Sequence, residues 1–225
     1  MFYTSEFFKM RIYPIVYIHL LDKVNVKCYN HIESLKGVEV MRVFPIKDRK
    51  IIGKMKEGMR TDGNMKMLLM FTLGLNTGFR ISDLLKLTYE DLRGERIMII
   101  EQKTGKKKDI PVPPAATKVF CEMDDPEKTG HIFTSNSNRN KGGVWSQQHI
   151  ARELKYYAKA AGFTRNVGTH TMRKTFGYWR YILNDKNIGL VQDLLNHSSS
   201  SETIKYIGID EEARDNAYTN GHQQL

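Results

Sequence analysis

Cysteine is scarce in this chain of 225 residues, which contains only Cys28 and Cys121. Neither belongs to a CxxC pair, and neither has metal-ligand residues at a short spacing. This pattern argues against a disulfide scaffold and a cysteine-based zinc site, and it favours a reducing compartment. We therefore predict a cytoplasmic protein without a metal site.

Long apolar runs are also lacking. The longest one, residues 12–21, is interrupted by Pro14 and His19 and is too short to cross a bilayer. It has no small-residue cleavage site, so it does not resemble a secretory signal. We therefore predict that no membrane is a partner. The GxxxxGK[ST] motif is absent as well, which argues against a P-loop NTPase.

Acidic residues are outnumbered by basic ones. The chain has 35 Lys and Arg against 25 Asp and Glu, a formal net charge of +10. Such an excess indicates a polyanionic partner, most often nucleic acid. On charge alone, a surface charged simply for solubility is the alternative.

The periodicity predicts a mostly helical α+β protein with one small antiparallel β-hairpin. Residues 1–44 carry no motif, and we treat them as a short extension of unclear fold that ends at Pro45. Residues 45–225 are predicted to form the main domain, with a tail from 207. Helices are predicted at 46–60, 65–75, 117–123, 146–161, 169–183, 188–195 and 201–207. Strands are predicted at 96–100 and 108–112. Ser82 is expected to cap a short helix, and Thr88 to Asp91 is expected to form a capping box.

Arg80 follows a glycine-containing turn in an apolar neighbourhood. Burying a guanidinium there is costly unless it is paired or reaches a ligand. Asp83 lies three residues further on and, on a helix, would face Arg80 and orient it. A purely structural ion pair is the alternative for these two residues.

The tip of the hairpin is strongly basic. Lys103 is expected at the end of the first strand, where its position is well defined, and Lys106, Lys107 and Lys108 follow it closely. Lysines around a turn are typical of phosphate contacts. One of them, for which Lys103 is the best candidate, can also act as a general acid.

Four more candidates lie between residues 170 and 206. His170 and Arg173 are three apart on a predicted helix, so they project from one face. His197 follows Leu-Leu-Asn, and Tyr206 comes nine residues later. A tyrosine has an unperturbed pKa near 10, so a tyrosine nucleophile needs cationic neighbours and a base. Taken singly, each of these residues also fits a structural role.

The order and spacing of these residues resemble the catalytic domain of the tyrosine recombinases, the phage integrase family. The resemblance covers roughly residues 45–210. It rests on Arg80 in TGFRISDLL, Lys103 in a KTG hairpin, His170-x-x-Arg173, LLN-His197 and Tyr206.

The resemblance implies phosphoryl transfer on double-stranded DNA without metal, ATP or another cofactor. Tyr206 would attack the scissile phosphate to form a 3′-phosphotyrosyl link, with His170 as its base. Arg80, Arg173 and His197 would bind the phosphate oxygens, and Lys103 would protonate the leaving 5′-oxygen. It further implies a tetramer on DNA that associates through the C-terminal tail, accessory DNA-bending proteins and an origin in a phage or other mobile element.

Two departures from the family pattern keep other functions open. The family commonly has glutamate where Asp83 stands, and residues 1–44 look too short for the DNA-clamping domain that usually precedes the catalytic one. The second departure favours, as an alternative, a DNA-binding regulator that does not recombine. A type IB topoisomerase is a third reading that fits His170-x-x-Arg173 less well.

Overall fold

The computed structural model describes residues 42–123, 126–135 and 141–209, and the described residues from Val43 onward belong to one compact unit. These ranges contain nine helices and two strands. The helices are α1 (Arg49–Thr61), α2 (Met65–Thr77), α3 (Ile81–Leu84), α4 (Tyr89–Arg93), α5 (Pro114–Cys121), α6 (Gln147–Ala160), α7 (His170–Leu183), α8 (Ile188–Leu195) and α9 (Ser200–Ile207). The strands are β1 (Arg96–Ile100) and β2 (Lys107–Pro111). The predicted class, mostly helical with a small antiparallel sheet, is confirmed. The predictions for residues 1–41 and for the tail from 210 lie outside the described residues.

The first helix begins three residues later than predicted. Asp48 caps it by accepting a hydrogen bond from the Lys50 backbone N–H at 2.7 Å. Ile46, predicted as helical, is fully buried in the segment before the helix, which has no regular secondary structure. Its N–H donates to the Thr175 hydroxyl at 2.8 Å, and its carbonyl accepts from the Trp179 indole at 3.1 Å. These two bonds attach the segment to α7 and prevent it from joining the helix.

The main core surrounds α2, whose residues from Met67 to Gly74 are all buried. This helix packs against α1, α5 and α7. A second, smaller cluster lies between α7, α8 and α9 and is built from buried side chains, namely Phe176, Tyr178, Val191, Leu195 and Ile207. The smaller cluster attaches α9, the helix that carries Tyr206, to the rest of the unit.

Several predicted boundaries are corrected. Ser82 is not an N-cap, because α3 begins at Ile81 and its N-cap is Arg80, which makes no side-chain cap bond. The helix predicted at 117–123 begins at Pro114, since proline is well suited to a first helical turn that needs no N–H donor. The Thr88–Asp91 capping box and the Ser146 cap of α6 are confirmed.

The hairpin pairs β1 and β2 in antiparallel register, from Arg96 opposite Pro111 to Ile100 opposite Lys107. The pairing continues one step further, because the Glu101 N–H donates to the Lys106 carbonyl at 2.9 Å. Ile97 is fully buried, whereas Met98 and Ile100 are exposed, so the hairpin lies with one face on the core. Its tip therefore extends from a fixed base.

Gly78 ends α2 in the left-handed conformation, with φ of 63°. A Cβ there would lie 2.3 Å from Cδ1 of the Phe176 ring. We expect Gly78→Ala to lower the free energy of unfolding by about 3 kcal/mol, from left-handed strain together with overpacking. Gly63→Ala is the matched control, since its φ is 65° but nothing lies within 4 Å of the added carbon. Urea unfolding should show a loss of only about 1 kcal/mol for the control. Equal losses in the two variants would contradict the clash with Phe176.

Candidate functional site

Arg80 is placed by the turn between α2 and α3. The left-handed Gly78 reverses the chain, and Arg80 then adopts an extended backbone as the N-cap of α3. Its side chain is only 14% exposed, and its Nη1 lies 2.9 Å from Oε2 of Glu101. The ion pair offsets the cost of burying the guanidinium.

Asp83 does not orient Arg80 as predicted. Arg80 precedes the first helical residue, so the two side chains do not share a helix face. Asp83 is buried, and its Oδ1 accepts a hydrogen bond from the Gln102 backbone N–H at 3.0 Å. Asp83 therefore fixes the hairpin, and Glu101 takes the place of the carboxylate beside Arg80.

Glu101 is fully buried and lies at the centre of a polar cluster. Its Oε2 accepts hydrogen bonds from the Thr104 hydroxyl at 2.6 Å and the Asn196 amide at 3.0 Å, besides pairing with Arg80. Burial alone raises the pKa of the Glu101 carboxyl. The bonds from Thr104, Arg80 and Asn196 and the charge of Lys108 outweigh burial and lower this pKa to about 2. The carboxylate is thus ionised throughout the physiological range.

The four hairpin lysines fall into two groups. Lys103, Lys106 and Lys107 are exposed, and Lys103 lies within the turn, not at the end of β1 as predicted, because the strand stops at Ile100. Lys108 instead turns inward. Its Nζ donates to the Leu194 carbonyl at 2.7 Å and lies 3.5 Å from Oε1 of Glu101. Lys108 was predicted to contact DNA, but its ammonium group is engaged within the protein.

Helix α7 supplies His170 and Arg173. Arg173 is 2% exposed, and its guanidinium donates to the carbonyls of Gly78 and Leu195. These bonds join the turn after α2 to the end of α8 through one side chain. His170 is at the first position of α7, and its Nδ1 lies 3.3 Å from the Tyr206 hydroxyl.

The end of α8 presents His197. Asn196 ends this helix in the left-handed conformation, with φ of 51°, a conformation that asparagine tolerates better than most residues. The turn brings the His197 ring to 4.9 Å from the Tyr206 ring, in an edge-to-face arrangement. His197 Nδ1 also lies 3.1 Å from the Thr203 hydroxyl, which links the ring to α9.

Tyr206 lies among cations and imidazoles. Burial raises the pKa of its hydroxyl, and the charges of Arg173 and Arg80 and a hydrogen bond from Arg173 act in the opposite direction. The net result is a raised pKa, so the hydroxyl is protonated at neutral pH and has to lose its proton before it can attack. Lys174 Nζ lies 5.0 Å from the centre of the same ring.

Six predicted residues are thus connected through short contacts or electrostatic influence. Direct contacts join His170 and His197 to Tyr206, and Arg173 and Arg80 act on its hydroxyl. The charge of Lys103 lowers the pKa of both histidines, which sets it near the same site. Sequence reasoning missed Glu101, Asn196 and Lys174. Glu101 offered one signal, since it is the acidic residue that directly precedes the lysine-rich turn.

Within the described residues, no group of three or more His, Cys, Asp or Glu side chains has a geometry that could hold a metal ion. Likewise, none of the helices within 42–123, 126–135 and 141–209 combines the length and the apolar character needed to span a membrane.

The fold is that of tyrosine recombinase catalytic domains. The structure superposes on XerA recombinase with a TM-score of 0.58 at 21% identity, covering 82% of this chain and 66% of the other. It also superposes on the catalytic domain of bacteriophage HP1 integrase, with a TM-score of 0.53 at 19% identity, covering 81% and 98%.

The sequence comparisons identify the family. The phage integrase family model matches residues 49–213. The probable integrase/recombinase YoeC of Bacillus subtilis is 35% identical over 178 residues, which cover 78% of this chain and 95% of that protein. The chain therefore belongs to the phage integrase family of tyrosine recombinases, whose members are DNA strand-exchange enzymes. The predicted resemblance is confirmed.

Other curated relatives are longer than the matched region. XerD of Agrobacterium fabrum is 27% identical over 205 residues, covering 79% of this chain and 61% of XerD. The chain spans only about half to two thirds of several such relatives. The family contains both integrases and Xer recombinases, so membership alone does not assign the chain to a mobile element.

Both site histidines are expected to be neutral at pH 7. Partial burial lowers the pKa of His170, and nearby cations, above all Arg173, lower it further. Burial also lowers the pKa of His197, where Glu202 acts in the opposite direction and Arg173 adds to the effect. Nuclear magnetic resonance titration of the DNA-free protein should place both imidazoles below the ordinary value of 6.5.

The matching control is the same titration in urea, where both histidines should return to about 6.5. Because the unfolded chain takes up these protons first, the two histidines reduce stability as pH falls below about 6.5. Lys103→Ala should raise both pKa values, since the charge of Lys103 lowers them. Titration of either folded-state imidazole at or above 6.5 would contradict the expectation.

Proposed function

We propose that this protein is a site-specific recombinase that cleaves and rejoins double-stranded DNA through a 3′-phosphotyrosyl bond to Tyr206. The observation that carries the proposal is the surroundings of the Tyr206 hydroxyl. It lies 3.3 Å from an imidazole nitrogen and under the influence of two guanidinium groups. A tyrosine in that setting has a proton acceptor beside it and cations to stabilise the negative charge that develops during attack.

The first step has a defined route for its proton. The pKa of Tyr206 is raised by burial, so the hydroxyl does not ionise by itself near pH 7. The pKa of His170 is lowered, so its imidazole is free to accept a proton. As the Tyr206 oxygen bonds to phosphorus, its proton passes to His170. Contact at 3.3 Å is close to the reach that general-base catalysis needs.

The other groups act on the phosphate and on the leaving group. Arg80 and Arg173 bind the non-bridging oxygens, and His197 donates a further hydrogen bond. The bond from phosphorus to the 5′-oxygen breaks, and Lys103 supplies the proton that completes the 5′-hydroxyl. A 5′-hydroxyl from a second strand then attacks the phosphotyrosine and releases Tyr206. One phosphoester replaces another at each step, so no energy source is consumed.

Double-stranded DNA is the proposed partner. The net charge of +10 supports it, as do exposed Lys106 and Lys107, which are suited to phosphate contacts beside the site. Among the similar solved structures are XerH bound to a difH substrate and a lambda integrase tetramer bound to a Holliday junction. By analogy, we propose that the protein forms a tetramer on DNA, joined by the C-terminal tail, and acts with DNA-bending accessory proteins. We further propose that it acts in the cytoplasm and is encoded by a mobile element.

A covalent-adduct assay tests the proposed function. The full chain is incubated with a randomised pool of duplexes, each carrying a nick, so that a fragment released by cleavage beside the nick diffuses away and religation fails. A species resistant to denaturant should form, and mass spectrometry should find the nucleotide on Tyr206. End-labelling should show attachment through the 3′ end. Binding of the pool without any adduct would favour a DNA-binding regulator that does not recombine.

A further inference from the structure

Glu101 has no role in the phosphoryl transfer described above, yet it contacts three parts of the site. Its Oε2 receives Arg80 at 2.9 Å, the Asn196 amide at 3.0 Å and the Thr104 hydroxyl at 2.6 Å. Arg80 binds the phosphate in the proposed function, Asn196 directly precedes His197, and Thr104 directly follows Lys103. One carboxylate oxygen thus connects Arg80 itself with the chain neighbours of His197 and Lys103.

The charge of Glu101 has a second effect, on repulsion within the site. Burial lowers the pKa of Lys108, and the charges of Arg173 and Arg80 lower it further, so the three cations lie close enough to repel one another. Lys108 also lies 3.5 Å from the other Glu101 oxygen, Oε1. If residue 101 were neutral, these cations would repel one another without the Glu101 counter-charge. Arg80, which is partly exposed, would then turn toward solvent.

We infer that Glu101 is a positioning residue, which holds Arg80 toward the scissile phosphate and ties the turn carrying Lys103 and the turn carrying His197 to that arginine. The inference rests on the proposed function. In this role Glu101 acts only through its partners and takes no direct part in the reaction. The Asn196 contact is available because the left-handed turn at φ of 51° directs the helix end toward the hairpin.

The test separates cleavage from binding. Single-turnover adduct formation is measured at saturating protein, and DNA affinity is measured in a Tyr206→Phe background. We expect Glu101→Gln to slow adduct formation about 100-fold, the loss typical of a misplaced functional group. Affinity should be unchanged or tighter, because a negative charge has been removed near the DNA. Glu122→Gln is the matched control, since that carboxylate pairs with Arg60 outside the cluster, and its rate should stay at the wild-type level.

A spectroscopic readout tests the route through Arg80. In nuclear magnetic resonance spectra, restricted rotation of a paired guanidinium gives resolved Nη signals. The signals of Arg80 are identified by their loss in Arg80→Lys. These signals should be resolved in the wild type and should merge in Glu101→Gln. Asn196→Gly removes the amide contact and keeps the left-handed backbone accessible. We expect this variant to slow adduct formation about tenfold, because the functional groups are misplaced less than in Glu101→Gln. Its melting temperature should be unchanged.

The outcomes are distinguishable. If Glu101→Gln cleaves within threefold of the wild type, or loses rate, affinity and melting temperature in parallel, the inference is overturned. If that variant does not fold, Asn196→Gly and Thr104→Val decide, and wild-type rates in both overturn it. A wild-type protein that forms no Tyr206 adduct refutes the proposed function itself, whereas a normal wild type beside a normal Glu101→Gln refutes only the role of Glu101.

Discussion

Tyr206→Phe is expected to abolish the covalent adduct with nicked DNA while leaving DNA binding within about threefold of the wild type. The exchange removes the one oxygen that would bond to phosphorus, so the loss of rate should exceed about ten-thousandfold. The aromatic ring remains and can still pack edge-to-face on His197 at 4.9 Å. The lost hydrogen bond to His170 is worth only about 1 kcal/mol to folding. Denaturing electrophoresis and a filter-binding assay measure the two effects.

Tyr181→Phe is the matched control for this exchange. Tyr181 packs against the same small cluster of α7, α8 and α9 but belongs to no part of the proposed machinery. Its substitution should leave the adduct intact. An adduct that persists in Tyr206→Phe would show that another residue is the nucleophile.

Arg173→Lys should lower the rate of adduct formation by on the order of a thousandfold, the scale found when a charge-stabilising group is removed. Lysine keeps the charge but presents one ammonium group in place of a planar fork. It cannot donate to the carbonyls of Gly78 and Leu195 and also reach a phosphate. The single-turnover rate at saturating protein is the measurement, with DNA affinity as the companion.

Arg173→Lys should also destabilise the fold, and by more than the loss of about 1 kcal/mol expected for Tyr206→Phe. At least one buried carbonyl loses its donor, at a cost of about 2 kcal/mol. Arg152→Lys is the control, because the Arg152 side chain is 73% exposed, and surface exchanges of this kind change stability by less than about 0.5 kcal/mol. A wild-type cleavage rate in Arg173→Lys would show that the fork is not needed at the phosphate.

Local sequence rules predicted the elements well wherever capping and periodicity acted alone. The Thr88–Asp91 box and the Ser146 cap followed from the residue types, since both are bonds between neighbours along the chain. The predicted start of α1 was wrong because the Ile46 N–H is bonded to Thr175, 129 residues away. Such a distant partner leaves no trace in local periodicity.

The candidate site shows the same division. The order and spacing of the candidate residues predicted the family resemblance, which is confirmed. The partner of Arg80 was predicted wrongly, because the i,i+3 rule assumes that both residues are helical, and Arg80 is outside α3. Pairing with Glu101 requires the hairpin to fold back over the turn, a tertiary event. The inward turn of Lys108 likewise depends on the end of α8, 86 residues further along.

The small cluster that holds α9 has a consequence for how the nucleophile is delivered. Tyr206 is carried by a helix of eight residues that is attached mainly through a satellite of the core. A short element held by few apolar contacts can detach at a free-energy cost well below that of global unfolding. The proposed nucleophile is thus carried by an element that can open locally, apart from the main core. Arg80 and Arg173 are outside α9, so the proposed phosphate-binding groups would stay in place while α9 opens.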